Sequence, residues 1–104
     1  MARMLIIYHT PKDTKFFDEH YFNVHVPMAK KLPGIMKYET SKGSIVAMAG
    51  ASDPYLIAIL HFQSIQAIKE AFETEIGIEC AADRRLLAPD NKDLQMFLFE
   101  DQEV

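Results

Sequence analysis

The stretch YLIAILHFQ, residues 55 to 63, constrains the fold more than any other part of the chain. It has the length and the β-branched and aromatic content of a strand, yet it is apolar at nearly every position rather than at alternate ones. Side chains on a strand alternate between two faces, so Tyr55, Ile57 and Ile59 share one face and Leu56, Ala58 and Leu60 the other. RMLIIYH, residues 3 to 9, has the same two-sided character: Met4, Ile6 and Tyr8 oppose Leu5, Ile7 and His9, and Thr10-Pro11 ends the run. Strands apolar on both sides need cover on both sides.

Between these strands the hydrophobic period changes. Phe17, Tyr21, Val24, Met28 and Leu32 recur at three- and four-residue steps behind an N-cap at Asp13 or Thr14, which predicts a helix closed by Pro33-Gly34. Pro27 falls inside it, where a proline removes a backbone hydrogen bond at a cost of about 3 kcal/mol. A strand is expected at 35–40, then extended chain or loop up to Pro54. Ser64 caps a second helix carrying the stripe Ile65, Ile68, Phe72 and Ile76, with Gly77 as its stop. IECAADRRLLAPDN offers a short third helical turn, and DLQMFLF, residues 93 to 99, a last strand before a solvated acidic tail.

The order β-α-β-β-α-β predicts an α+β fold of ferredoxin-like type: one domain, residues 1–104, with a four-stranded antiparallel sheet and two helices on one face. Those helices cover one side only. A second copy presenting the same bare face is the simplest cover for the other, so the chain is expected to form a homodimer through its exposed sheet face, with a barrel-like interior.

Charge removes several function classes. Eleven Lys+Arg against fifteen Asp+Glu give a formal charge of −4, and Lys30-Lys31 and Arg84-Arg85 are isolated basic pairs, so neither nucleic acid nor an anionic membrane is an expected partner. No segment approaches the roughly 20 apolar residues that span a bilayer. MARMLIIYHT lacks the pattern of a secretory leader, and the single cysteine, Cys80, suits a reducing compartment; the expected location is cytoplasmic. Cys80 has no histidine near it in sequence and makes a weak nucleophile candidate.

On an α-helical wheel, five residues advance roughly 500°, which sets His20 and His25 roughly 140° apart on opposite flanks of the apolar stripe, unable to share a metal ion. The sequence has no HExxH and no CxxC, and no metal site is expected. His25 is the foremost functional candidate. It lies beside Val26-Pro27, where the lost donor to the Asn23 carbonyl and the resulting distortion turn its ring towards a cavity between helix and sheet; a half-buried histidine bonded to backbone is the ordinary alternative. His9 and His61, at the ends of two strands, are candidate ligand contacts, and whether they share a face is not fixed by the sequence. Tyr21 and Tyr38 are phenols suited either to bonding a ligand or to filling the core, and Met28, on the same helix as His25, joins the candidate ligand contacts.

The run FFDEHYFNVHVPMAKKLPGIMKYETSKG, residues 16 to 43, resembles the EthD family of the dimeric α+β barrel superfamily, named for ethyl tert-butyl ether degradation. The matching pieces are Tyr21-Phe22, His25-Val26-Pro27 and Lys31-Leu32-Pro33-Gly34; residues 53–72 fit the family's next strand and helix, and the C-terminal third departs more. The resemblance implies a ferredoxin-like homodimer with a cavity between sheet and helices. It also implies chemistry that needs no metal or organic cofactor, of isomerase, dehydratase, cyclase or monooxygenase type, on small aromatic or lactone-like molecules. In that reading His25 is the acid/base, with Tyr21 beside it. The competing reading is a non-catalytic binding or accessory protein for a hydrophobic metabolite. An RNA-binding module shares the element order, but YLIAILHF lacks the Lys/Arg-Gly-aromatic pattern that stacks bases. Haem ligation by His25 or His61 is compatible with the superfamily fold, and nothing in the spacing demands it.

Overall fold

Strands β1 (Ala2–His9), β2 (Lys37–Thr40), β3 (Pro54–Phe62) and β4 (Leu94–Glu100) pair antiparallel in the order β2-β3-β1-β4. The computed structural model describes residues 1–51 and 53–104. The two most apolar runs of the sequence are the two central strands, where both faces are furthest from the sheet edges. Their registers place Ile6 opposite Ala58 and Met96, and Ile7 opposite Ile57 and Gln95. The stretch expected as loop has no strand or helix among its described residues 41–51 and 53; Ser52 lies outside the described residues.

The helical layer lies on one face, over Met4, Ile6, Tyr8, Leu56, Ala58 and Leu60. Helix α1 (Thr14–His20) starts at Asp13, whose carboxylate accepts from the Phe16 N–H at 3.0 Å. It passes through one π-helical turn, Tyr21–His25, into α2 (Val26–Ala29). Helix α3 (Ile65–Glu73) is capped by Ser64, as the sequence predicts, with the hydroxyl accepting from the Ala67 N–H at 3.0 Å. Among the described residues no helix is long and apolar enough to cross a membrane.

Two expectations about the helices are corrected. The segment 14–32 is not one regular helix: the Val26 N–H donates to the Tyr21 carbonyl five residues back, so one turn holds an extra residue just before Pro27. That extra residue slips the phase of the buried stripe, which runs Phe17, Tyr21, His25, Ala29; Val24 is 41% exposed while His25 is 7% exposed. The widened turn also relieves the crowding a proline ring meets from the preceding turn.

Gly77 does not end a helix. The break comes at Thr74, whose hydroxyl donates to the Ala71 carbonyl at 2.6 Å and accepts from the Gly77 N–H at 3.1 Å. A full helix α4 (Glu75–Leu87) then runs through Gly77, replacing the short turn expected there. Glycine is required because the two helices cross there: a Cβ at 77 would lie 2.2 Å from the Ala71 carbonyl oxygen and 2.5 Å from the Phe72 Cα.

The opposite face of the sheet is bare. Leu5, Ile7, Ile57, Ile59, Phe97 and Phe99 point away from the helices, and Phe97 and Phe99 are 47% and 41% exposed. At one end of this face a polar chain crosses all four strands: the Asp101 carboxylate, just beyond β4, accepts from Arg3 at 2.6 Å, Arg3 donates to His61 Nδ1, and His61 Nε2 donates to Glu39 at 2.5 Å.

Candidate active site

Between the helices and the sheet lies a cavity of about 440 Å³. Its walls are mostly apolar, with Met4 and Ile6 from β1, Leu60 from β3 and Met96 and Leu98 from β4. The polar lining is sparse: Tyr8, His25, Tyr38 and Arg84 inside, with Lys69 and Glu73 on the exposed rim. An apolar cavity with a few convergent polar groups is the usual form of a small-molecule site.

His25 reaches this cavity because of the π turn. Residues five apart, which an α-helix holds on opposite flanks, lie nearly in line across such a turn, so His20 and His25 address the same carboxylate. His20 Nε2 lies 2.7 Å from Asp83 Oδ1, and His25 Nδ1 lies 2.8 Å from Asp83 Oδ2. The expectation that these rings sit on opposite flanks is therefore corrected. Among the described residues no group of three or more metal-ligating side chains is placed to hold a metal ion.

The hydrogen bonds set the proton positions. A carboxylate only accepts, so His20 donates Nε2–H and His25 donates Nδ1–H. Neutral His25 then carries its lone pair on Nε2, the nitrogen Asp83 does not occupy. Burial lowers the His25 pKa from its ordinary value, against the opposing hydrogen bond and charge of Asp83. The imidazole is thus neutral and basic at neutral pH, with a carboxylate ready to stabilise its protonated form.

Aromatic rings hold this group in place. Tyr21 stacks on His25 with centroids 5.4 Å apart, and its hydroxyl lies 2.6 Å from that of Tyr38. Tyr8 meets Phe17 and Tyr21 edge-on at 5.2 and 5.7 Å. Burial pushes the Tyr38 phenol up to about 12 and raises those of Tyr8 and Tyr21 as well. Cys80 also lines the cavity, and burial pushes its thiol up to about 11, helped by the charge of Asp83.

Of the candidates named from the sequence, His25 and Tyr38 line the cavity and Tyr21 lies directly behind them. Met28 is half-buried against the core and is not part of the lining. His9 and His61 share the bare face of the sheet, away from the cavity; His61 belongs to the Arg3–Glu39 chain, and His9 makes one long 3.4 Å contact to the Asp53 carbonyl. Sequence reasoning missed Asp83, Arg84 and Tyr8. The signal for Asp83 was its place in a helical stripe, Cys80, Asp83, Leu87, which puts a carboxylate among buried positions.

The family model for the EthD domain matches residues 9–88. The chain belongs to the EthD family. An uncharacterized 11.0 kDa protein from the thcB-thcC intergenic region of Rhodococcus erythropolis is 32% identical to this EthD protein over 83 residues, 80% of each chain. The crystal structure of an EthD family protein from Bacillus halodurans C-125 superposes with a TM-score of 0.86 at 27% identity, covering 98% of this chain and 99% of that one. SnoaB from Streptomyces nogalater, a cofactor-independent oxygenase, shares the fold at 13% identity, with a TM-score of 0.64 over 99% of this chain and 95% of its own. Other solved chains of this fold, at 12% and 10% identity, are described as dimeric ferredoxin-like proteins.

Proposed function

We propose that this EthD protein is a proton-transfer enzyme that works without a metal or organic cofactor on a small apolar or aromatic compound, with His25 as general acid/base. The observation that carries the reading is the Asp83–His25 pair, which leaves His25 Nε2 as the free nitrogen of a ring lining an apolar cavity. Asp83 fixes the tautomer and stabilises the imidazolium formed when Nε2 takes a proton. Tyr21 acts as a positioning residue through its stack on His25, and Tyr38 contacts the ligand. His9 and His61 belong in this reading to a homodimer face, where a second copy covers Leu5, Ile57 and Phe97.

The test is exchange of solvent deuterium into 2-tetralone, an aromatic ketone with acidic C–H bonds, followed by proton NMR. Wild-type protein accelerates exchange over buffer, and His25→Gln loses roughly 10²- to 10⁴-fold of that acceleration while keeping its melting midpoint. Equal exchange in the variant would remove His25 from the role. Binding of 2-tetralone without any exchange would favour the non-catalytic binding protein.

A further inference from the structure

Two polar groups in the cavity make no hydrogen bond to His25 or Asp83 among the described residues. Tyr8 is 1% exposed and lines the cavity. Its ring is clamped edge-on by Phe17 and Tyr21, and among the described residues its hydroxyl has no hydrogen-bond partner. Among the described residues no fully enclosed side-chain nitrogen or oxygen lacks a partner, so this hydroxyl reaches open space; Tyr38 and Arg84, which line the His25 cavity with Tyr8, are among the groups whose charges act on it.

Arg84 is the second. One guanidinium N–H donates to the Ala88 carbonyl at 2.9 Å, which anchors the group on the last turn of α4. Its neighbour in sequence, Asp83, has both oxygens engaged by His20 and His25. Among the described residues no carboxylate forms an ion pair with Arg84, and the remaining guanidinium donors are free for a ligand. Burial raises the Tyr8 pKa and lowers that of His25; the Arg84 charge acts on both groups, partly offsetting the first effect and adding to the second. The other charges on the lining, Lys69 and Glu73, are of opposite sign and sit together on the exposed rim of α3.

We infer that Tyr8 and Arg84 form an oxyanion subsite beside His25, so that the substrate is an apolar molecule bearing a carbonyl or acidic hydroxyl oxygen next to the bond that gives up its proton. This rests on the reading of His25 as acid/base and names the substrate class for it. When Nε2 takes the proton, the C–H electron pair becomes part of a carbon–carbon double bond and the carbonyl π pair moves onto oxygen. The enolate oxygen so formed accepts from the Tyr8 hydroxyl and the Arg84 guanidinium, two donors already in place where the negative charge develops. Return of the proton from His25 to the same or a neighbouring carbon collapses the enolate, so the cycle is an isomerisation or exchange that consumes no co-reactant.

Calorimetric titration with 2-naphthoate and its neutral isostere 2-naphthamide tests the subsite separately from the base. The carboxylate stands in for the enolate oxygen. Wild-type protein is expected to prefer naphthoate by roughly tenfold or more, the yield of one charge-assisted hydrogen bond. Arg84→Met should abolish the preference while still binding naphthamide, Tyr8→Phe should reduce it several-fold, and His25→Gln should retain it. Equal binding of the two probes by wild type, or a preference that survives Arg84→Met, overturns the subsite. Retained preference in a protein that fails the deuterium-exchange test would overturn the role of His25 and leave the subsite standing.

Discussion

Replacing Asp83 with Asn tests how the site is held together, because the two side chains have the same size and differ in what they offer. The carboxylate accepts from His20 at 2.7 Å and from His25 at 2.8 Å. An amide accepts at one atom and donates at the other, so one of the two ring N–H groups is left facing an NH₂. Hydrogen bonds to a charged group contribute about 1.5–3 kcal/mol each; losing one and weakening the other costs roughly 3 kcal/mol. Asp83 is nearly buried, so water replaces little of that loss. The pH dependence changes too. His25 has a folded pKa below its unfolded value of 6.5, so between the two values the unfolded chain binds more protons. Stability from this group is complete above the unfolded pKa and is lost as pH falls below it towards the folded pKa. Asp83→Asn removes the contributions that raise the folded pKa, which leaves burial and carries the loss to lower pH. Urea denaturation at several pH values between 5 and 8, with NMR titration of the His25 ring, reads both effects. A variant with wild-type stability and an unchanged His25 titration would refute the pairing.

Gly77→Ala sets a Cβ 2.2 Å from the Ala71 carbonyl oxygen; overpacking of about 3 kcal/mol, less about 1 kcal/mol of helix propensity, should lower the melting midpoint by roughly 10 °C, measured by calorimetry. Ile57→Asp on the bare sheet face should convert a dimer into a folded monomer in native mass spectrometry; a wild-type chain already monomeric at micromolar concentration would contradict the dimer. Cys80, buried with its thiol pushed up to about 11, should react with maleimide at pH 8 far more slowly than in urea.

The sheet was legible because its signal is local and redundant. Two runs apolar on both faces marked out β1 and β3, which the structure places at the centre of the sheet, and the shortage of helix to cover both faces pointed to the bare one. His25 was legible through its proline neighbour and the family resemblance. Its partner was not, because the wheel that parted His20 from His25 assumes 3.6 residues per turn, and one π turn at Tyr21–His25 brings them together. Asp83 joins them from the far end of the chain, a pairing that local periodicity does not carry. Gly77 misled for a related reason: a glycine needed where two helices cross reads, in one dimension, like a glycine needed to end one of them.

The proposed chemistry turns on one proton. Long-range nitrogen–proton correlation NMR of histidine-labelled protein at pH 7.5 reports which ring nitrogen of His25 carries it. A neutral ring protonated on Nδ1, with Nε2 bare and shifted by naphthoate, is the predicted result. A ring protonated on Nε2 would contradict the account, since that histidine has no bond to donate to Asp83 and no lone pair to offer the cavity.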